Sequence, residues 1–527
     1  MGLVPAPPAP KMNISYLTIR RPAFASRLRL MPTMRTLLVL LAAALAGSLT
    51  LFAFAPYRLF WIMPLSLAAL ADLTQRHPQR AFWIGYVWGL AAYTSNFNWI
   101  YNSLHDVAGL PVWIALPLVL LLPAYLALYP GLAMWLSARV TAKPWQRWLL
   151  AFPALWELGE WLRGWVLTGF PWAAAGYSQI TESPLAGYTP LGGSHLVTYL
   201  VALSAGALAL MVHSGWKMRA GLLIAALAVW GNGFWLKSIE WTLPQGKPIS
   251  VALAQGNIAQ ELKWSPENLE ESLRVYYQQV ATARADLMLL PETALPLFLD
   301  DLPSGYLSMM EGQAQRAGMA LATGVPRRTN DGRGYLNAVV ALTTPGQPYF
   351  AKDHLVPFGE FIPVPSLIGW IYQFMNMPMS GFSSGGANQP PLALAGEKIA
   401  FNVCYEDSFG EELIGPASQA SIMANVSNLA WFGKSVAMSQ HLQLSQARAL
   451  ENGRYMLRAT NNGMTAIIRP DGEIAAVAAP YTRQVLQGFA QGRQGLTPYM
   501  RHGNAPVLIG CAALLLLAIL LGRKHRP

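Results

Sequence analysis

The sequence predicts a polytopic α-helical membrane domain of eight transmembrane helices joined to an extracytoplasmic α/β domain. Three observations predict it. The 527-residue chain is 53% hydrophobic and only 12% charged, too apolar for an ordinary soluble protein. It contains repeated apolar runs of the length that crosses a bilayer, roughly 17–25 residues per helix. Its charge is segregated: residues 248–505 hold 17 Lys and Arg against 20 Asp and Glu, a net of −3, whereas the rest holds 20 against 6, a net of +14. Basic residues set between apolar runs mark membrane orientation. Nucleic-acid binding would gather them on one face of a folded domain, so that class is excluded.

Residues 1–34 are Pro-rich from Pro5 to Pro10 and then basic. They show no signal-peptide cleavage pattern and read as a disordered N-terminal extension. The apolar runs follow near 36–54, 59–73, 81–101, 112–137, 147–165, 195–213 and 217–236, giving a membrane domain over 35–240. An eighth, near 506–522, precedes a basic tail, so 506–527 is the last segment. Pro64 interrupts the short second run. Arg76 and Arg80, then Arg139, Lys143 and Arg147, then Lys217 and Arg219, and finally Arg523, Lys524 and Arg526 follow the even-numbered runs. Loops 102–111 and 166–194 hold no Lys or Arg. Positive charge in short loops marks the cytoplasmic side. Both termini are therefore expected in the cytoplasm and 248–505 outside it.

Trp99, Tyr101, Trp113, Trp172, Tyr177, Trp235 and Trp241 fall near the expected outer ends, where an interfacial aromatic belt accounts for them. Glu157, Glu160 and Arg163 are spaced by three and share one helical face. Ionisable groups inside a membrane are functional candidates by default, but these three can pair with one another and fix helix packing.

From Pro248 the texture changes to short β-branched or apolar runs alternating with polar helical stretches. Strands are expected at Ile249–Ala254, Asp286–Leu290, Met319–Val325, Leu336–Leu342, Lys398–Val403, Ser421–Val426, Tyr455–Thr460, Thr465–Ile468 and Glu473–Val477. Pro266–Arg284 and Met438–Asn452 read as helices, and Asp471-Gly472 as a hairpin turn. Such alternation can bury a large layered α/β core.

Within this domain Cys404 ends a strand and has no second cysteine to pair with, since Cys511, the other cysteine of the chain, lies in the eighth apolar run. A free cysteine is often a small buried hydrophobe. It becomes a nucleophile candidate when a base and an electrostatic partner are in reach. Glu292 follows one strand and Lys352 precedes Cys404 in the chain, each at or near a strand end, where catalytic groups of α/β folds concentrate. His354 lacks a second His or Cys at ligand spacing, so neither metal nor cofactor is expected.

The order Glu–Lys–Cys, with Pro291-Glu292 after one strand and Cys404-Tyr405-Glu406 after another, resembles the nitrilase superfamily. With the membrane spans it is similar to the apolipoprotein N-acyltransferase family. The matching motifs are His354-Leu355-Val356-Pro357-Phe358-Gly359-Glu360, Trp431-Phe432-Gly433, Thr460-Asn461-Asn462-Gly463 and Gly495-Leu496-Thr497-Pro498-Tyr499. The likeness runs from about Met34 to the C-terminus. Leu429 departs from it, standing where many members carry an aspartate.

The resemblance implies an αββα sandwich over 248–505, in the periplasm and anchored in the bacterial inner membrane. It implies Cys404 as nucleophile, Glu292 as general base, and Lys352 with the Tyr405 backbone N–H as oxyanion donors. Glu360 would support the triad, and Glu406 would orient either the Lys352 ammonium or the cysteine loop. Trp264 would stand near the entrance and Trp431 in an adjacent loop. The implied donor is a phospholipid, phosphatidylethanolamine, and the implied acceptor the α-amine of a diacylated apolipoprotein. Two further readings come from the residues themselves. The Met-rich run Tyr372–Met379, with Met375 and Met377, suits a lid that admits acyl chains, and Phe170 and Trp172 are candidate acyl-chain contacts. A membrane-tethered amidase that resolves its thioester with water is the rival. A transporter would carry charge through several spans, not one cluster.

Overall fold

The computed structural model describes residues 1–2, 32–259, 266–363, 366 and 381–523. The chain divides into Met1–Leu38 and Val39–Pro527. The described part of the first unit includes the opening turns of the helix Pro32–Ser48. The extension expected over 1–34 lies almost wholly outside the described residues, as do Trp264, Met375 and Met377.

Among the described residues, five stretches are long and apolar enough to cross a membrane: Met34–Ala53, Val112–Val140, Pro184–Val212, Trp216–Leu236 and Ala505–Gly522. The other three expected runs form the shorter helices Ile62–Arg76, Ala81–Phe97 and Phe152–Arg163. The last is short because a π-helical turn, Arg147–Ala151, precedes it. The run expected at 112–137 is two helices, Val112–Leu126 and Leu128–Val140, meeting at Ala127. Pro123 and Pro130 flank that junction and remove backbone donors from it.

Small residues set the closest helix crossings, as in other membrane bundles. A Cβ on Gly85 would come within 2.5 Å of the Pro130 carbonyl oxygen, and one on Gly206 within 1.9 Å of that of Trp148. The charged face of Phe152–Arg163 resolves into two pairs. Arg163 Nη2 lies 2.6 Å from Glu160 Oε2, while Glu157 turns instead to His195 Nδ1 at 2.6 Å, on the helix Thr189–Val212. Arg163 Nη1 also donates to the Phe170 and Trp172 carbonyls at 2.6 and 3.0 Å, which holds the loop after this helix.

The second half of the chain builds two six-stranded mixed sheets from its described residues. With Leu243–Pro244 as β1, the first sheet contains β2 (Ile249–Gln255), β3 (Leu287–Leu289), β4 (Ala320–Arg328), β5 (Tyr335–Ala341) and β6 (Tyr349–Ala351). The second contains β7 (Leu392–Leu394), β8 (Glu397–Val403), β9 (Ile422–Ser427), β10 (Met456–Thr460), β11 (Ala466–Ile468) and β12 (Ile474–Val477). β13 (Gln484–Ala490) returns to complete the first sheet beside β2, and β14 (Arg493–Gln494) pairs with β1. β2, β3 and β4 run parallel, as do β8, β9 and β10. The expected hairpin at Asp471-Gly472 joins antiparallel β11 and β12.

Period-two alternation sorts the strand residues into layers. Val251 and Leu253 of β2 face Ile399, Phe401 and Val403 of β8 between the sheets. Ala252 and Ala254 face outward, against Tyr276 and Val280 of the helix Pro266–Thr282 and Met310 of the helix Tyr306–Arg316. On the other side Ala400 and Met423 meet Leu442 and Ala449 of the helix Ala437–Asn452. The order of layers is therefore helix, sheet, sheet, helix.

Ala437–Asn452 is buried almost all round, although it is rich in glutamine. One face covers the second sheet and the other meets the membrane helices. Gln440 accepts from Trp172 Nε1 at 3.0 Å and donates to Asn96 Oδ1 at 3.2 Å, and Gln443 accepts from the Ala55 N–H at 3.1 Å. This seam corrects the aromatic-belt expectation for part of its set. Trp113 and Trp235 are exposed, but Trp99, Trp172 and Tyr177 are buried. Trp99 packs on Phe432, and the Tyr177 hydroxyl donates to the Ser408 carbonyl at 3.3 Å. Those aromatic rings are joints between the two halves of the chain.

Candidate active site

Strand ends from both sheets deliver their following residues to one place. Glu292 comes three residues after β3, Lys352 directly follows β6, and Cys404 directly follows β8. Gly324 of β4 makes room for the first of these, because a Cβ there would lie 2.7 Å from Glu292 Cα. Glu292 and Lys352 are 8% and 1% exposed, and Cys404 is half-buried.

The carboxylates and the ammonium form a connected chain. Asn337 Nδ2, on β5, donates to Glu292 Oε1 at 2.7 Å and to Glu360 Oε1 at 3.1 Å. Glu360 Oε2 lies 2.7 Å from Lys352 Nζ and accepts the Val356 N–H at 2.8 Å. Glu292 Oε2 accepts the Asn428 N–H at 2.8 Å. Burial works against the charge on Lys352, but the Glu360 and Glu292 carboxylates outweigh it and hold the ammonium above its usual pKa. Burial, and then the Glu292 charge, push the Cys404 thiol up, against the pull of Lys352. That direction favours the thiol over a preformed thiolate, so a nucleophilic role for Cys404 would need a base in reach.

Cys404 takes a left-handed backbone, φ 55°, at the step from β8 into the short helix Cys404–Ser408. A non-glycine residue in this region costs about 1–3 kcal/mol and persists only where its surroundings over-determine it. Glu406 supplies part of that restraint. Its Oε1 accepts the Asp353 and His354 N–H groups at 2.8 and 3.1 Å, and its Oε2 accepts that of Val403 at 2.6 Å. Burial pushes its pKa up to about 7, against Lys352 and these donors. Glu406 thereby ties the turn before Cys404 to the loop after Lys352, while the direct partner of the ammonium is Glu360.

The Tyr405 ring points toward the membrane helices, its hydroxyl donating to the Gly169 carbonyl at 3.0 Å. Half-buried Phe170 lies beside that ring at 6.0 Å between centroids. Trp172 is 2% exposed and sits in the seam described above. Trp431 is half-buried, and its loop is clamped by the short helical turns that follow the helix Ala81–Phe97: Ser103 Oγ donates to the Trp431 carbonyl and Asn102 Nδ2 to that of Phe432, both at 2.8 Å. Sequence reasoning missed Asn337, and also Asn425, His441 and Arg458, which lie beneath Cys404. Three of these four are polar residues set in apolar strands, a signal that strand alternation could have raised.

The structure thus joins apolar helices to a helix–sheet–sheet–helix domain in which Glu292, Lys352 and Cys404 gather at strand ends. The description "Apolipoprotein N-acyltransferase N-terminal domain" matches residues 46–207, and "Carbon-nitrogen hydrolase" matches 250–491. An apolipoprotein N-acyltransferase of Chromobacterium violaceum is 78% identical, over 94% of this chain and 96% of its own. One of Neisseria meningitidis serogroup B is 48% identical, over 93% and 97%, and one of Pseudomonas putida 40%, over 92% and 97%. The chain belongs to the apolipoprotein N-acyltransferase family and is a membrane-associated acyltransferase.

Proposed function

We propose that the chain moves an acyl group from phosphatidylethanolamine, through a Cys404 thioester, to the α-amine of a diacylglyceryl-cysteine apolipoprotein. The observation that carries this reading is the grouping of a buried ammonium, two hydrogen-bonded carboxylates and a strained cysteine at strand ends beside the membrane helices.

In the first half-reaction Cys404 Sγ attacks the sn-1 ester carbonyl while Glu292 takes the thiol proton. Lys352 and the Tyr405 N–H hold the oxyanion, and each such donor is commonly worth about 2.7–4 kcal/mol. The ester C–O bond breaks, and the lysophospholipid oxygen leaves with the proton held by Glu292. In the second half-reaction the amine attacks the thioester and gives a proton to Glu292. Cys404 leaves as thiolate, regains that proton, and the amide is complete. Glu360 keeps Lys352 in place and Glu406 keeps the cysteine turn in place. The scheme is ping-pong.

In the proposed topology all eight apolar runs span the inner membrane, both termini are cytoplasmic, and the catalytic domain, 248–505, is periplasmic. The domains are then 1–34, 35–240, 248–505 and 506–527. The alternation of basic and base-free loops supports this arrangement. Phe170 and Trp172 are proposed as the acyl-chain contacts, and Trp431 as a residue of the loop adjacent to the entrance. Trp264, Met375 and Met377 keep their expected roles as entrance and lid residues.

The test is what resolves the acyl-enzyme. Purified acyl-enzyme given a diacylated lipopeptide is expected to yield the N-acyl lipopeptide in one turnover. Release of free fatty acid alone would support the rival amidase.

A further inference from the structure

Beneath Cys404 lies a buried polar cluster that the steps above leave unused. The Cys404 carbonyl oxygen accepts from His441 Nε2 at 3.0 Å and from Asn425 Nδ2 at 3.2 Å. Both donors are set by one guanidinium: Arg458 Nη2 donates to His441 Nδ1 at 2.8 Å, and Nη1 to Asn425 Oδ1 at 3.0 Å. Arg458 is itself held by Asp407 at 3.1 Å and Ser445 at 2.8 Å. His441, Arg458, Asp407 and Asn425 are all fully buried.

This arrangement fixes the histidine tautomer. With Nδ1 accepting from Arg458, the ring proton sits on Nε2 and points at the Cys404 carbonyl. Burial and the adjacent guanidinium hold the His441 pKa far below its ordinary value, so the ring is neutral. It is unsuited to taking a proton from the thiol, and its remaining polar atom is spent on a backbone oxygen.

That oxygen belongs to the same planar, trans peptide unit as the Tyr405 N–H. In such a unit C=O and N–H point in opposite directions, so whatever fixes the carbonyl also aims the N–H. The aim needs fixing, because Cys404 carries a left-handed φ of 55°. Hydrogen bonds to the carbonyl also polarise the unit and strengthen the N–H as a donor.

We propose that His441, set by Arg458, is a positioning residue that aims the Tyr405 N–H at the acyl carbonyl oxygen. This rests on the reading that Cys404 is acylated and that the Tyr405 N–H receives the oxyanion.

The experiment compares two reactions of the same thiol in the purified full-length protein. Single-turnover acylation by phosphatidylethanolamine passes through an oxyanion. Alkylation by iodoacetamide displaces iodide and forms none, so it reports the thiol and its base alone. His441→Asn keeps an acceptor for Arg458 but falls short of the carbonyl, while His441→Gln returns an N–H close to the place of Nε2. Acylation is expected to slow about 100-fold in the Asn variant, with alkylation unchanged, and most of the loss is expected to recover in the Gln variant. Equal losses of acylation and alkylation, unchanged acylation in the Asn variant, or no recovery in the Gln variant would each overturn the proposal. If the Asn variant does not fold, the Gln variant decides: it must acylate near the native rate. Native protein that is not acylated at all overturns the underlying reading of Cys404, before any variant is made.

Discussion

Replacing Lys352 with methionine is expected to slow acylation of Cys404 by about 10³-fold or more. Two effects add. Loss of one oxyanion donor commonly costs about 10²–10³ in rate. The substitution also leaves the Glu360 and Glu292 carboxylates, joined through Asn337, without the cation that now faces them. Breaking a buried ion pair by removing one partner typically destabilises by about 3–5 kcal/mol. The variant should therefore also unfold at a lower temperature in detergent, and the two readouts are measured on one preparation. Lys352→Arg is not expected to rescue either. The ammonium sits 2.7 Å from Glu360 in a site where the side chain is 1% exposed, leaving no room for a planar guanidinium. A Lys352→Met protein that acylates at the native rate would remove Lys352 from the mechanism.

Glu292→Gln is expected to slow acylation by about 10²–10⁴-fold, the range of a lost general base. Its pH dependence is the sharper test. Burial, and then the Glu292 charge, push the thiol up in the native protein. The glutamine removes the second cause and leaves the first, so the thiol stays protonated through the neutral range. Without a base the variant must rely on the small thiolate fraction, and its rate should climb about tenfold per pH unit as that fraction grows. The native rate, with the proton transferred to Glu292 during attack, should not show that climb. A variant with a flat profile over the same range would mean that deprotonation of Cys404 does not limit its attack.

Which parts of this site could be read before the structure was known follows from what the sequence encodes locally. Glu292 and Cys404 each follow an expected strand, because strand ends can be located from short apolar runs, whereas β6, the three-residue strand before Lys352, is too short to stand out as one. The layer order likewise follows from period-two alternation in β2 and β8. The polar groups that hold the site in place are a different matter. Asn337 bridges two carboxylates only because of the register of β5, and Arg458 meets His441 only because β10 lies under the helix Ala437–Asn452. Those contacts are decided by tertiary packing, which no window of neighbouring residues contains.

The aromatic residues teach the same lesson from the membrane side. Trp99, Trp172 and Tyr177 have the position and chemistry of an interfacial belt, yet the seam with the α/β domain claims them. An amphipathic ring suits a lipid headgroup region and a half-polar protein joint equally well. Glu157 shares a helical face with Glu160 and Arg163, but His195, on another helix, is its partner. In each case the local pattern identified a group needing a partner, and the fold chose which one.

The most direct measurement is the mass of the Cys404 peptide after the purified protein has been incubated with phosphatidylethanolamine. The expected result is an added acyl mass on that peptide, lost on treatment with hydroxylamine as a thioester must be. It should be absent from Cys404→Ala protein, with the Cys511 peptide unmodified in both. Native protein with no adduct, or with the acyl group on Cys511, would contradict the proposed mechanism.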